Sequence, residues 1–149
     1  MFVNPNNKPT YIGSLVFLML FKIFACMKTD VKEIRETLVS ILKENTPPLK
    51  IRTNKDTNFE VAGTKETMQG KQKVDGMYFG SIVPKPKDVR LYYFPIYLYP
   101  DEFSLSDDLK KCLKGKSCFH IKKLDEGLET EIKAMVAKGV ELFKKNDLV

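Results

Sequence analysis

The sequence predicts an α+β fold, a mainly antiparallel sheet flanked by about three helices. Three stretches join a capping residue to apolar positions at helical spacing, and they begin at Asp30, Ser106 and Asp125. Between them lie short apolar runs separated by Gly, Pro and Asn turns, at lengths that suit strands. The resulting order of helix, strands, helix, strand and helix favours hairpin pairing over parallel crossovers.

Asp30 caps the first helix with Glu33 three residues on, and Val31, Ile34, Leu38, Ile41 and Leu42 recur on one side. Asn45 and Pro47-Pro48 end it. Leu49, Ile51 and Thr53 alternate with Lys50 and Arg52, which predicts a half-buried strand, and Phe59 with Val61 marks a second strand after the turn at 54–58. From Gly63 to Gly76 the chain is polar and glycine-punctuated, a loop of about 12 residues that reads as a lid or as a long hairpin arm. Residues 77–83 and 89–94 form a hairpin around the proline-stiffened turn 84–88. Pro95 and Pro100 bracket Ile96-Tyr97-Leu98-Tyr99, read as an extended segment at or leaving the sheet edge.

Ser106 caps a short helix with Asp107 and Asp108 in its first turn, Lys110, Lys111 and Lys114 toward its end, and Gly115 as its stop. Residues 117–122 form a strand with Phe119 and Ile121 on one side and Cys118 and His120 on the other. Asp125 starts the last helix, whose buried stripe is Leu128, Ile132, Met135, Val136, Val140 and Phe143, with Glu129 and Lys133, and Glu141 and Lys145, paired four apart outside.

The chain has 149 residues, 43% apolar and 30% charged, which fits one globular domain and excludes collagen-like, disulfide-scaffold and polytopic membrane classes. Such a domain buries about two-thirds of its extended surface, so its stability requires no metal or disulfide. Residues 1–26 are an apolar extension holding Lys8 and Lys22 and no acid; the single α+β domain is assigned to residues 27–149. Residues 11–26 are too short and interrupted for a spanning helix of about 20 residues. They read as an upstream extension before a start at Met27, as an export or anchoring segment, or as a core element. Without Lys8 and Lys22 the domain carries 23 basic against 19 acidic residues, an excess too small for a strongly basic nucleic-acid module. The densest stretch, residues 110–123, holds six lysines and no acid, and it reads as a solvated helix end or a local patch.

Three cysteines, Cys26, Cys112 and Cys118, are an odd number and point to reduced thiols in the cytoplasm. Whether Cys112 and Cys118 pair depends on a Cα separation within about 7 Å. Gly115-Lys116-Ser117 resembles the end of a phosphate-binding P-loop, but Lys110 stands where the earlier glycine belongs, and the segment leads into a strand instead of a helix. Cys112, Cys118 and His120 are potential metal ligands, yet a structural zinc site wants four and this chain has one histidine. A Cys118–His120 nucleophilic pair needs a separation of about 3.2 Å, shorter than residues two apart on a strand provide. Asp101-Glu102 and Asp107-Asp108 sit where turns and helix starts already ask for acids.

The most informative feature is aromatic. Seven of the sixteen Phe and Tyr residues fall within residues 78–99, and the 89–94 strand is apolar on both faces apart from Arg90. Either helices cover both sides of the sheet or one side meets a ligand or partner. Tyrosines beside Lys85, Lys87 and Arg90 also suit single-stranded nucleic acid, although no RNP-type motif accompanies them.

Pro95-Ile96-Tyr97, Pro100, the helix start at 106–111 and above all Gly115-Lys116-Ser117-Cys118-Phe119, followed by Lys122, Leu128 and Gly139, resemble a bacterial family of unknown function grouped with the YdhG-like proteins. The resemblance spans residues 49–143, with its specific part from Phe79 onward. It implies a small α+β domain and, from what is proposed for a relative, intracellular iron handling. His120 stands where that pattern expects asparagine, and this chain is basic where a frataxin-like iron carrier is acidic.

The sequence therefore points to a cytoplasmic, non-enzymatic module that binds a small molecule or protein through a Tyr-rich sheet face. Its ligand-binding candidates are Tyr78, Tyr93, Tyr97, Lys116 and Ser117. The alternatives are iron or other metal handling, and an enzyme using Cys118. No cofactor, metal ligand or catalytic residue is assigned, double-stranded nucleic acid is not expected as a partner, and membrane contact is expected only if residues 11–26 act as an anchor.

Overall fold

Three side chains start the three longest helices of the described residues by accepting an otherwise orphaned backbone N–H. Asp30 accepts from Glu33 at 2.9 Å and opens α1, Val31–Lys43. Ser106 accepts from Leu109 at 3.2 Å, and Asp125 from Leu128 at 2.7 Å. The computed structural model describes residues 27–149, so the expectations for residues 1–26 lie outside it.

After α1 the chain forms β1, Lys50–Lys55; β2, Asn58–Ala62; β3, Thr67–Gln69; β4, Gln72–Val74; β5, Tyr78–Pro84; and β6, Val89–Tyr93. Then come α2, Pro95–Leu98; a 3-10 turn, Pro100–Glu102; α3, Asp107–Cys112; β7, Leu113–Lys114; β8, Cys118–Ile121; and α4, Glu126–Lys145. Six strands form one sheet in the order β1-β2-β5-β6-β8-β7, antiparallel throughout, which is the expected α+β class. The glycine-punctuated loop holds the separate β3–β4 hairpin, turned at Gly70 with φ +62°, so its arm reading holds.

Strand alternation sorts the sheet into two faces. Phe59, Val61, Ile82, Leu91, Tyr93, Phe119 and Ile121 join the buried residues of α1, α3 and α4 in one apolar cluster. The opposite face carries Glu60, Ser81, Arg90, Tyr92, Cys118 and His120, none of which belongs to that cluster. The apolar 89–94 run thus has one face under helices and one left half open. A register shift where Val61 and Ala62 meet Gly80 and Tyr78 lets Phe79 enter the core while Tyr78 bonds Ser81 on the other face.

The structure corrects four local expectations. Residues 95–98 are a turn of helix instead of an extended segment, because Pro95 at the first helical position presets φ and Tyr99 N–H bonds Pro95 O at 2.8 Å. Among the described residues this gives four helices where about three were expected. Gly115, at φ +70°, turns the β7–β8 hairpin instead of stopping α3, which ends earlier at Cys112. Ile51 is 43% exposed, because a register shift between Ile51 and Thr53 breaks the alternation of this edge strand. On α4, Glu141 pairs with Lys144 at 3.0 Å rather than with Lys145, whereas Glu129 and Lys133 meet at 3.6 Å as expected.

Tyr93 ties α4 to the sheet. Its ring has no exposure, and its hydroxyl donates to Met135 O at 2.6 Å. A Cβ at Gly139 would stand 2.1 Å from that hydroxyl, so only glycine leaves room for it. The ends of the described chain are also anchored: Lys28 and Leu124 exchange backbone bonds of 2.9 Å, and Thr64 N–H bonds Leu148 O at 3.0 Å.

Phe119 has no exposure, and Lys116 is exposed in the β7–β8 turn. Phe119→Ala is expected to cost about 3–5 kcal/mol, lowering the melting temperature by about 10 °C, whereas Lys116→Ala should cost less than about 0.5 kcal/mol. Thermal melts of the two variants check this contrast; an unchanged melt for Phe119→Ala would contradict the β8 register.

Candidate functional site

The helical turn at Pro95 decides what residues 94–97 present to solvent. In an extended chain, residues three apart point to opposite faces; in a helical turn they share one side. Phe94 and Tyr97 accordingly stack, with ring centroids 5.4 Å apart and planes at 21°. Tyr78, at the start of β5, also meets Phe94, at 5.8 Å and 59°. The β7–β8 turn brings Lys116 over Tyr97, its Nζ 5.7 Å from the ring centroid. Tyr78, Phe94, Tyr97 and Lys116 therefore form one continuous row, and Tyr97, 50% exposed, is its exposed ring.

Of the five residues singled out in the sequence, three stand in this row: Tyr78, Tyr97 and Lys116. Tyr93 does not, because it faces the core, packed edge-on against Phe79 at 5.6 Å and Phe103 at 5.7 Å. Ser117 contributes backbone, its carbonyl accepting from Tyr93 N–H at 2.8 Å. Phe94 was missed as a site residue. Its signal was the Phe-Pro step, a helix start that aligns positions 94 and 97.

Cys112 and Cys118 are both free thiols. Burial pushes the Cys118 thiol up, against a downward pull from Arg90 and Tyr92; burial and then Asp108 push up that of Cys112. Both settings favour the thiol over the nucleophilic thiolate. Among the described residues no three His, Cys, Asp or Glu side chains gather in a metal-binding group. No helix of the described residues is long and apolar enough to cross a membrane.

On the open sheet face, Arg90 and His120 are direct cross-strand neighbours, with the Asp88 carboxylate 3.5 Å from Arg90 Nε and 3.7 Å from His120 Nδ1. Their meeting depends on the β6–β8 register, which no local signal in the sequence sets. Comparison with family models, curated proteins and solved structures finds no match.

Burial pushes the Tyr78 phenol up to about 12, with the Ser81 bond pulling back only in part, and burial raises Tyr93 further still. Unfolded phenols ionise near pH 10, so above that pH the folded chain retains protons that the unfolded chain has released. Stability from these tyrosines is intact below about pH 10 and declines as pH rises through 12. Alkaline titration followed by tyrosinate absorbance should show Tyr78 ionising near 12 and Tyr93 only on unfolding. Ionisation of every tyrosine together near pH 10 would contradict this burial.

Proposed function

We propose that the chain is a non-enzymatic binding module that takes a small ligand or protein partner through the row formed by Tyr78, Phe94, Tyr97 and Lys116. The observation that carries this reading is Tyr97, half exposed yet held between the Phe94 ring and the Lys116 ammonium. Aromatic side chains already packed in place lose little conformational freedom on binding, and they offer a π-face to a planar group. Lys116 beside that face favours a ligand whose flat part carries a negative charge. We further infer a cytoplasmic setting, supported by the odd cysteine number and the two free thiols. The YdhG-like kinship is likewise a proposal, supported by residues 79–143.

Titration of the full chain with a panel of planar aromatic carboxylates, followed by NMR, tests the binding reading. At least one should give saturable shifts at Phe94, Tyr97 and Lys116, and Tyr97→Ala should weaken that binding at least tenfold with the melt little changed. A panel without a saturable response, or shifts indifferent to Tyr97→Ala, would overturn it.

A further inference from the structure

A cleft of about 500 Å³ opens beside β8, away from the aromatic row, and His120 lines it with Lys111, Lys114, Lys122 and Lys123. This volume lies within the range of small-molecule sites. Its two acids are already engaged: Asp125 accepts the capping bond from Leu128 N–H at 2.7 Å, and Asp108 stands 3.5 Å from Lys111. Lys114, Lys122 and Lys123 form no ion pair among the described residues.

A second, independent feature lies behind the histidine. The Asp88 side chain is only 9% exposed, and its Oδ1 faces Arg90 Nε at 3.5 Å without a hydrogen bond among the described residues. Its other oxygen lies 3.7 Å from His120 Nδ1. With Nδ1 facing this buried carboxylate, Nε2 is the nitrogen turned away from it, on the one imidazole that lines the cleft.

We propose that this cleft binds a small phosphorylated molecule, with Lys114, Lys122 and Lys123 neutralising the phosphate and His120, doubly protonated in the complex, donating to it from Nε2. Four lysines against two carboxylates leave the cleft an excess of two positive charges, which suits a compact dianion better than a single carboxylate, because lysine acts on phosphate as a point charge with rotatable donors. The remaining volume, with Leu128 in its wall, accommodates a compact body attached to the phosphate. This site is separate from the aromatic row and does not depend on that row's function.

The chain has one histidine, so its imidazole C–H signals in NMR belong to His120 alone. Pyrophosphate added to the full chain should shift those signals saturably at one-to-one stoichiometry. Lys122→Ala combined with Lys123→Ala should weaken binding at least tenfold, and His120→Gln should weaken it as well, judged by calorimetry. Lys71→Ala with Lys73→Ala removes the same charge from the β3–β4 hairpin and should change affinity less than twofold. Either no saturable shift at His120 or an equal loss in the two lysine pairs would overturn the proposal.

Discussion

The hydroxyl of Tyr93 and the carbonyl of Met135 make the bond on which the rest of the arrangement depends. It is buried, it joins the end of the central strand β6 to the middle of α4, and its partners lie 42 residues apart in sequence. Left without a partner, a buried hydroxyl costs about 1–3 kcal/mol. Gly139 supplies the space, since any side chain there would meet the hydroxyl. With α4 held at this point, Phe79 packs edge-on against both Tyr93 and Phe143, at 5.6 Å and 5.0 Å. The covered face of the sheet is thereby defined.

The open face follows from the covered one. Arg90, Tyr92, Cys118 and His120 alternate with core residues, so they turn outward because their neighbours turn inward. The β7–β8 hairpin then places two kinds of chemistry on either side of its Gly115 turn. Lys116 reaches the aromatic row, while Lys114 and His120 line the cationic cleft. Both surfaces thus depend on one short edge hairpin, and its register is set by Phe119 in the core.

What was legible in the sequence was local. Asp30, Ser106 and Asp125 cap as read because a capping bond spans three residues and owes nothing to tertiary contacts. The Pro84 hairpin and the Phe119/Ile121 alternation were visible for the same reason. Two flanking prolines suggest an extended segment at 96–99, and only the helical start at Pro95 explains why Phe94 and Tyr97 share a side. Tyr93 read like its neighbour Tyr92, and nothing in an apolar run says which of two tyrosines faces helices. The Asp88–His120 approach was invisible, since it rests on a pairing between strands separated by α2 and α3.

The seat of the Tyr93 hydroxyl is most directly tested by a double-mutant cycle between Tyr93→Phe and Gly139→Ala, read as unfolding free energy in urea. Alone, Gly139→Ala should destabilise by about 1–3 kcal/mol through overpacking, although alanine favours a helix over glycine by about 1 kcal/mol. With the hydroxyl removed by Tyr93→Phe, the same change should cost less than half as much, giving a clear coupling energy between the two sites. Strictly additive costs would contradict the account, because they would mean that the hydroxyl does not occupy the space that Gly139 leaves.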